Sequence, residues 1–360
     1  PENTDGRVNL NILPFRLGET DFQTQGIVPS RTLGNFFLGS QLGSATANPS
    51  INPTLTHMLV GYDEHYSFGV QQQLSSRTVA DIAYVGNHGV HLNGTDDYNT
   101  PAPGPGAVQT RRPDNIFGPI GYQSQDVGTT YQSLQAKLEH RASRGLTSLV
   151  SYTWSKFLQT NQSSQLGGPG AFEKTYAYFN VPQNLAVSFT YELPVGRGKQ
   201  FLSGLNGVSD AVLGGWQVQS IIILRSGQPY TPIVSGDIAN TGVGQQRPNL
   251  VPGGGSPTFK RTLKTWFDKT RYVDAPKYTY GQARAYTLQS DAFRQYDASI
   301  FKNFSVTKES VLSFRAEFFN LPNTNSFAPP NSTIDTAAGG QVTNTSVPSR
   351  DIQFALKYNF

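Results

Sequence analysis

V-P-S-R-D-I-Q-F-A-L-K-Y-N-F, residues 347–360, closes the chain, and its reading sets the fold class. From Ile352 the even positions are Ile352, Phe354, Leu356, Tyr358 and Phe360, with Gln353, Ala355, Lys357 and Asn359 between them. A period of two is a β-strand with one apolar and one polar face. An aromatic side chain at a frayed end gains little in a soluble domain. The last strand of a membrane barrel, by contrast, turns alternate side chains to lipid. The expectation is therefore all-β: an antiparallel transmembrane β-barrel.

Working back from that strand, the pattern recurs. Leu312, Phe314, Ala316 and Phe318 alternate with Ser313, Arg315 and Glu317, and Ala298 and Ile300 alternate with Asp297, Ser299 and Asn303. The stretch 213–224 is the most apolar, and a buried sheet strand is the rival reading for it. Leu185, Val187, Phe189 and Tyr191 alternate with small polar residues up to Glu192. Leu146, Val150, Tyr152 and Trp154 share a face, joined by a tight turn at 143–145 to a strand over 131–141. A hairpin is expected from 58–74 and 77–85, ending at the turn-like G-N-H-G of 86–89. Residues 86–127, with P-A-P-G-P-G at 101–106, read as one long loop. Further loops are expected from 159 and over 320–346, and 201–209 as a short periplasmic segment. Within 226–290, Trp266-Phe267 and Tyr278–Tyr280 read as short strand or rim elements. In total roughly nine to twelve spanning strands are expected, of the ten or so residues a membrane needs. Residues 1–54 read as a loop-rich N-terminal segment and 55–360 as barrel strands with long extracellular loops.

Composition agrees. The 360 residues include 22 Phe, 17 Tyr, 36 Gly and 23 Pro, but only 14% are charged. That balance suits alternating strands and polar loops rather than a helical protein or an ordinary charged surface. A soluble sandwich also alternates, but its outer faces carry more Lys and Glu, and a solenoid would show a fixed period. The net charge of +4 reads as spread along the chain, so no nucleic-acid partner is expected. With no Cys, disulfides and thiol chemistry are excluded. The sequence starts P-E-N-T-D-G without Met, so a processed or partial product is expected.

No catalytic constellation, phosphate loop or cofactor motif is present. His88 and His91 lie close in sequence, but a single pair is a poor zinc signal, and no metal site is expected. The charged residues on polar faces carry more information: Lys137, Glu139, Arg141, Glu192, Arg315 and Glu317. Facing lipid, each would cost a few kcal/mol near the midplane, so they are expected to face the lumen. The expected arrangement is ion pairing across strands, with plug or substrate contact as the alternative. Trp154, Tyr191 and Trp216 are candidate lipid-interface anchors.

The blocks Y-S-F-G-V-Q-Q-Q-L-S-S-R-T-V-A-D-I-A-Y-V-G-N-H-G (66–89), Y-Q-S-L-Q-A-K-L-E-H-R-A-S-R-G-L-T (131–147), S-Y-T-W-S-K (151–156), L-G-G-W-Q-V (213–218), F-R-A-E-F-F-N-L-P-N (314–323) and F-A-L-K-Y-N-F (354–360) occur in a telling order. Together they resemble the C-terminal barrel of TonB-dependent outer-membrane receptors. The closer resemblance is to the Oar-like subgroup with a carboxypeptidase-regulatory-like domain, common in Acidobacteria. It covers most of 58–360. It implies a bacterial outer-membrane location, contact with outer-membrane lipid, and Tyr358 and Phe360 as the signal read by the barrel-assembly machinery. It further implies about 22 strands around an N-terminal plug that engages TonB. Neither plug nor TonB box is visible here, so a C-terminal piece, a split receptor and a small complete barrel all stay open. The implied function is TonB-dependent uptake of a bulky nutrient. The alternative is a structural or export barrel that anchors or passes surface material.

Overall fold

The fold was analysed in a computed structural model, which describes residues 48, 50–53, 59–143, 145–162, 172–307 and 309–360. Nine long strands form one antiparallel meander: β1 (Tyr62–Ser75), β2 (Thr78–Asp97), β3 (Gly121–Ser143), β4 (Leu146–Gln162), β6 (Gln183–Glu192), β7 (Gln217–Arg225), β12 (Phe293–Ser305), β13 (Val311–Phe319) and β14 (Asp351–Asn359). A tenth, β5 (Phe172–Tyr176), pairs with the outer half of β4. Each long strand pairs with the next in sequence, as expected when turns are short and register is set by side-chain alternation.

The register sorts the alternating residues onto two faces. On one, Phe68 opposes Tyr84, Leu134 opposes Trp154, Val187 opposes Ile222 and Phe314 opposes Leu356. Much of this face has no protein layer over it: Phe68 is 75% exposed and Leu356 68% exposed. Such a continuous apolar surface suits hydrocarbon and not water. On the other face Lys137 opposes Ser151, Thr190 opposes Gln219 and Ser299 opposes Glu317. The sheet is thus a section of transmembrane barrel wall, and among the described residues the buried apolar cluster lies elsewhere, in the loops.

The connections are equally polarised. Those at 76–77, 144–145, 193–216 and 306–310 lie at the end of the wall where β14 finishes. Those at 98–120, 177–182, 226–292 and 320–350 lie at the opposite end. Three of the four at the first end are five residues or fewer, as on the periplasmic side of such walls, and the fourth, 193–216, contains a helix; the opposite end is the extracellular side.

Two expectations are corrected, and the periplasmic connection is filled in between them. G-N-H-G at 86–89 is not a turn, because β2 runs on to Asp97 and β3 begins at Gly121, so the loop shrinks to 98–120. The polar run around Asn87, His88 and Asn93 is too wet for lipid, but its backbone keeps pairing in water above the membrane. The transition is marked by a register slip between Gly89 and Leu92, with His91 at φ +56°. Gly86 has a positive role inside the strand, since any Cβ there would collide with the ring of Tyr66 lying over it. The 193–216 connection contains α1 (Gly207–Leu213), capped by Asn206, whose side chain accepts from Ser209 N at 2.8 Å. Second, Trp266 and Phe267 are not rim elements. They form a buried core with Val234 and Ile334, surrounded by Tyr230, Ile238, Tyr272, Leu288, Phe327 and Val342.

That core makes the extracellular loops a packed cap. Two-residue pairings support it: β8 (Pro229–Tyr230) with β11 (Leu288–Gln289), and β9 (Asn249–Leu250) with β10 (Tyr272–Val273). Polar hubs replace regular ladders there, as buried backbone groups demand partners. The Asn99 amide donates to the carbonyl oxygens of Asp114, Phe117 and Gly118 at 2.8, 3.1 and 2.7 Å. Glu173 of β5 pairs with Arg247 at 2.6 Å and Arg284 at 3.1 Å, tying the wall to the cap. Of the 1–54 segment, most lies outside the described residues. Ile51 bridges to Ile120, beside the start of β3.

Candidate functional site: a polar cavity on the inner face of the wall

A cavity of about 710 Å³ opens on the polar face. Its walls include Glu139 and Arg141 of β3 and Arg315 and Glu317 of β13, with Asp297 of β12 and Gln219 of β7 between them. β3 and β13 are separated by four strands of the meander, so the sheet must curl for both to border one space. The polar face is therefore concave. Leu149, Phe189, Ile221, Ala298 and Phe319 add apolar surface between these charged, hydroxyl and amide groups.

The six charged residues singled out from sequence fall on this same face by register, although not all border the cavity. Lys137 opposes Asp81 and Ser151 at one side of it, and Glu192 opposes Gln217 near the periplasmic end. The ion pairs themselves differ from expectation. They run along one strand rather than across strands: Glu139 pairs with Arg141 at 2.9 Å and Lys137 at 3.5 Å, and Arg315 with Glu317 at 3.3 Å. The register explains this, because the neighbours of Glu139 are Val79 and Leu149, and those of Arg315 are Phe301 and Ala355. Glu192 instead reaches Lys199 in the following connection at 2.8 Å. Exposed pairs of this kind contribute only about 0–1 kcal/mol each. Their heads stay wet: the Arg141 side chain is 72% exposed.

The aromatic candidates occupy the opposite face. Trp154 stands exposed beside Leu134, at the level where Gln132 Nε2 donates to the Tyr66 hydroxyl at 2.5 Å and the Tyr84 hydroxyl donates to Gln132 Oε1. Aromatic rings with a hydrogen-bonding tip suit the headgroup level. Tyr191 sits near the periplasmic end, opposite Leu146 and Val218. At that end Tyr358 and Phe360 stack with centroids 5.8 Å apart, and Phe360 is 97% exposed.

Trp216 does more than sequence suggested. It packs edge-on against Phe304 and Phe314, and its indole N–H donates to Val212 O at 2.9 Å. Beneath this group lies Lys302, a cation that the register places on the lipid-facing side, opposite Phe314. Lys302 is only 4% exposed; its ammonium donates to Gly214 O and lies 4.9 Å from the Phe304 ring and 5.8 Å from that of Trp216. The α1 connection thus covers a charge that bare lipid would penalise. No sequence pattern flags this, because it depends on a segment some ninety residues away folding over the strand.

Compared with known proteins, residues 2–353 match the family described as "Outer membrane beta barrel domain". Among solved structures, the chain is similar to the outer membrane transporter YddB from Escherichia coli, with 9% identity and a TM-score of 0.49 over 88% of this chain and 34% of that one. It is also similar to the pyoverdine outer membrane receptor FpvA from Pseudomonas aeruginosa bound to pyoverdine, with 11% identity and a TM-score of 0.39 over 83% of this chain and 30% of that one. The chain thus spans about a third of the length of these structures. No curated protein matches it.

Proposed function

This chain belongs to the outer membrane β-barrel domain family, and from that membership we propose that it is part of the wall and extracellular cap of an importer for a bulky nutrient. The observation that carries this is the combination of an apolar outer face, a concave charged inner face and a packed cap over the long-loop end. A barrel serving only as an anchor has no need of a charged concavity beneath an ordered cap.

Among the described residues β1 pairs only with β2 and β14 only with β13, leaving two open edges. Unpaired backbone groups in hydrocarbon cost several kcal/mol each. In this reading further strands complete the wall, from the same gene product or a separate chain. We place Lys137, Glu139, Arg141, Arg315 and Glu317 against an N-terminal plug, whose displacement by TonB would admit the nutrient. Tyr358 and Phe360 serve as the signal for the barrel-assembly machinery, and Trp154, Tyr191 and Trp216 as lipid-interface anchors. The Oar-like blocks support placement in that subgroup of TonB-dependent receptors. The role is transport, without catalysis.

The test is the assembly itself, purified from outer membranes in detergent. Intact-mass measurement should find further strand-forming and plug sequence in the same particle. The particle should bind the periplasmic domain of TonB. A particle of 39.3 kDa alone, stable without detergent, would sink the proposal. A complete barrel that ignores TonB would turn it toward the anchoring or export role.

A further inference from the structure

The excess positive charge of this chain is not spread evenly. Residues 260–277 carry six cations (Lys260, Arg261, Lys264, Lys269, Arg271 and Lys277) against Asp268 and Asp274, a net +4 that equals that of the whole chain. The segment belongs to the extracellular cap, where it borders a second cavity of about 620 Å³. This volume is in the range that holds a ligand of a few hundred daltons.

The lining combines three kinds of group. Trp266, Phe259 and Tyr272 give it aromatic surface, Thr287 and Gln289 give hydrogen-bonding groups, and Arg261 and Arg271 give charge. The Arg261 guanidinium carbon lies 5.7 Å from the Trp266 ring centroid, which holds it at the wall. Arg271 passes over Gly255, where a Cβ would sit 2.6 Å from its Cγ, and Gly255 also has φ +97°. Only glycine suits both demands. Among the described residues neither arginine forms an ion pair. The one carboxylate in the lining, Asp268, is engaged from within. It accepts from Thr270 Oγ1 at 2.6 Å, Thr270 N at 3.0 Å and Ser256 N at 2.5 Å. Two guanidiniums beside aromatic surface, with only Arg271 near a carboxylate and that one already hydrogen-bonded, match a carboxylate on a ligand that also has an apolar face.

We infer that this cavity binds a carboxylate-bearing ligand, a sugar acid or an aromatic acid, at the extracellular face. The inference rests on the transport reading of the cap, and it names the class of cargo. The guanidiniums take the carboxylate, the aromatic surface takes the apolar face, and Gln289 and Thr287 are placed for hydroxyls.

Calorimetric titration of the detergent-purified protein tests it, with tri-galacturonate, its neutral methyl ester and 4-hydroxybenzoate as probes. At least one acid should bind. Its affinity should fall tenfold or more in Arg261→Gln and in Arg271→Gln, and the ester should bind neither wild type nor variants. Which acid binds decides between sugar and aromatic sources. Lys260→Gln with Lys264→Gln, which removes charge outside the lining, should keep most of the affinity. Retained protease resistance of the cap and retained heat-modifiable mobility check that each variant folds. No binding by either acid, equal binding of the ester, or equal losses in the arginine and lysine variants would overturn the inference. Binding is read without energisation, so a failed TonB interaction leaves it standing, and a failed titration leaves the transport reading standing.

Discussion

Val187 and Ser188 are neighbours in β6 whose substitution by arginine should have opposite consequences. Val187 lies near the middle of a ten-residue strand and is flanked by Val150 and Ile222 on the apolar face. Ser188 is flanked by Leu149 and Ile221 and borders the 710 Å³ cavity with Glu139, Asp297 and Glu317 nearby in its walls. Val187→Arg pushes a guanidinium into hydrocarbon near the midplane, at a cost of about 2–4 kcal/mol. That is about 30- to 700-fold in the folding equilibrium at 1.4 kcal/mol per decade. Ser188→Arg points into water and toward carboxylates, so its cost should stay within about 0.5 kcal/mol. Urea titration of the protein purified from outer membranes and reconstituted in lipid vesicles measures both, with heat-modifiable gel mobility reporting the folded fraction. Equal costs, or a larger cost for Ser188→Arg, would refute the assignment of faces and with it the wall.

Three further outcomes follow from the cap and the covered lysine. Trp216→Ala should destabilise the protein by about 1–3 kcal/mol and should expose Lys302 to modification by an amine-reactive reagent; protection of Lys302 in the variant would contradict the role given to Trp216. Glu173→Gln leaves Arg247 buried without its counter-charge, a loss of about 3–5 kcal/mol. The cap should become protease-sensitive while the strands keep their heat-modifiable mobility; uniform loss of both would argue against a separately packed cap. Burial raises the phenol pKa of Tyr230, Tyr272, Tyr280 and Tyr286. A raised folded-state pKa gives stability that is full below the unfolded value, about 10, and is lost as pH rises toward the folded one. Trp266 emission should therefore change above about pH 10 while strand circular dichroism holds. Emission that stays flat through that window would show the phenols are not buried as described.

Part of this was legible because strand patterning is local. Leu312–Phe318 and Ile352–Phe360 declare their faces within a few residues. The charged candidates are legible because lipid rejects charge, which assigns Lys137, Glu139, Arg141, Arg315 and Glu317 to the polar face. The basic segment at 260–277 was equally legible, but it vanished when charge was averaged over the whole chain. The extension of β2 beyond Val85 was hidden for a different reason: outside the membrane a strand needs only backbone pairing, so Asn87, His88 and Asn93 no longer mark its end.

The sequence by itself determined that this chain is an alternating, two-faced wall with long loops at one end, since a period of two acts through nearest neighbours on one strand. Tertiary structure alone decided how the loops pack and which charges meet. Glu173 finds Arg247 and Arg284 across 74 and 111 residues, and Trp216 covers Lys302 across a comparable gap. Those contacts are made by irregular backbone, whose hydrogen-bonding groups must take whatever partner the fold brings near, and no local pattern records which one that is.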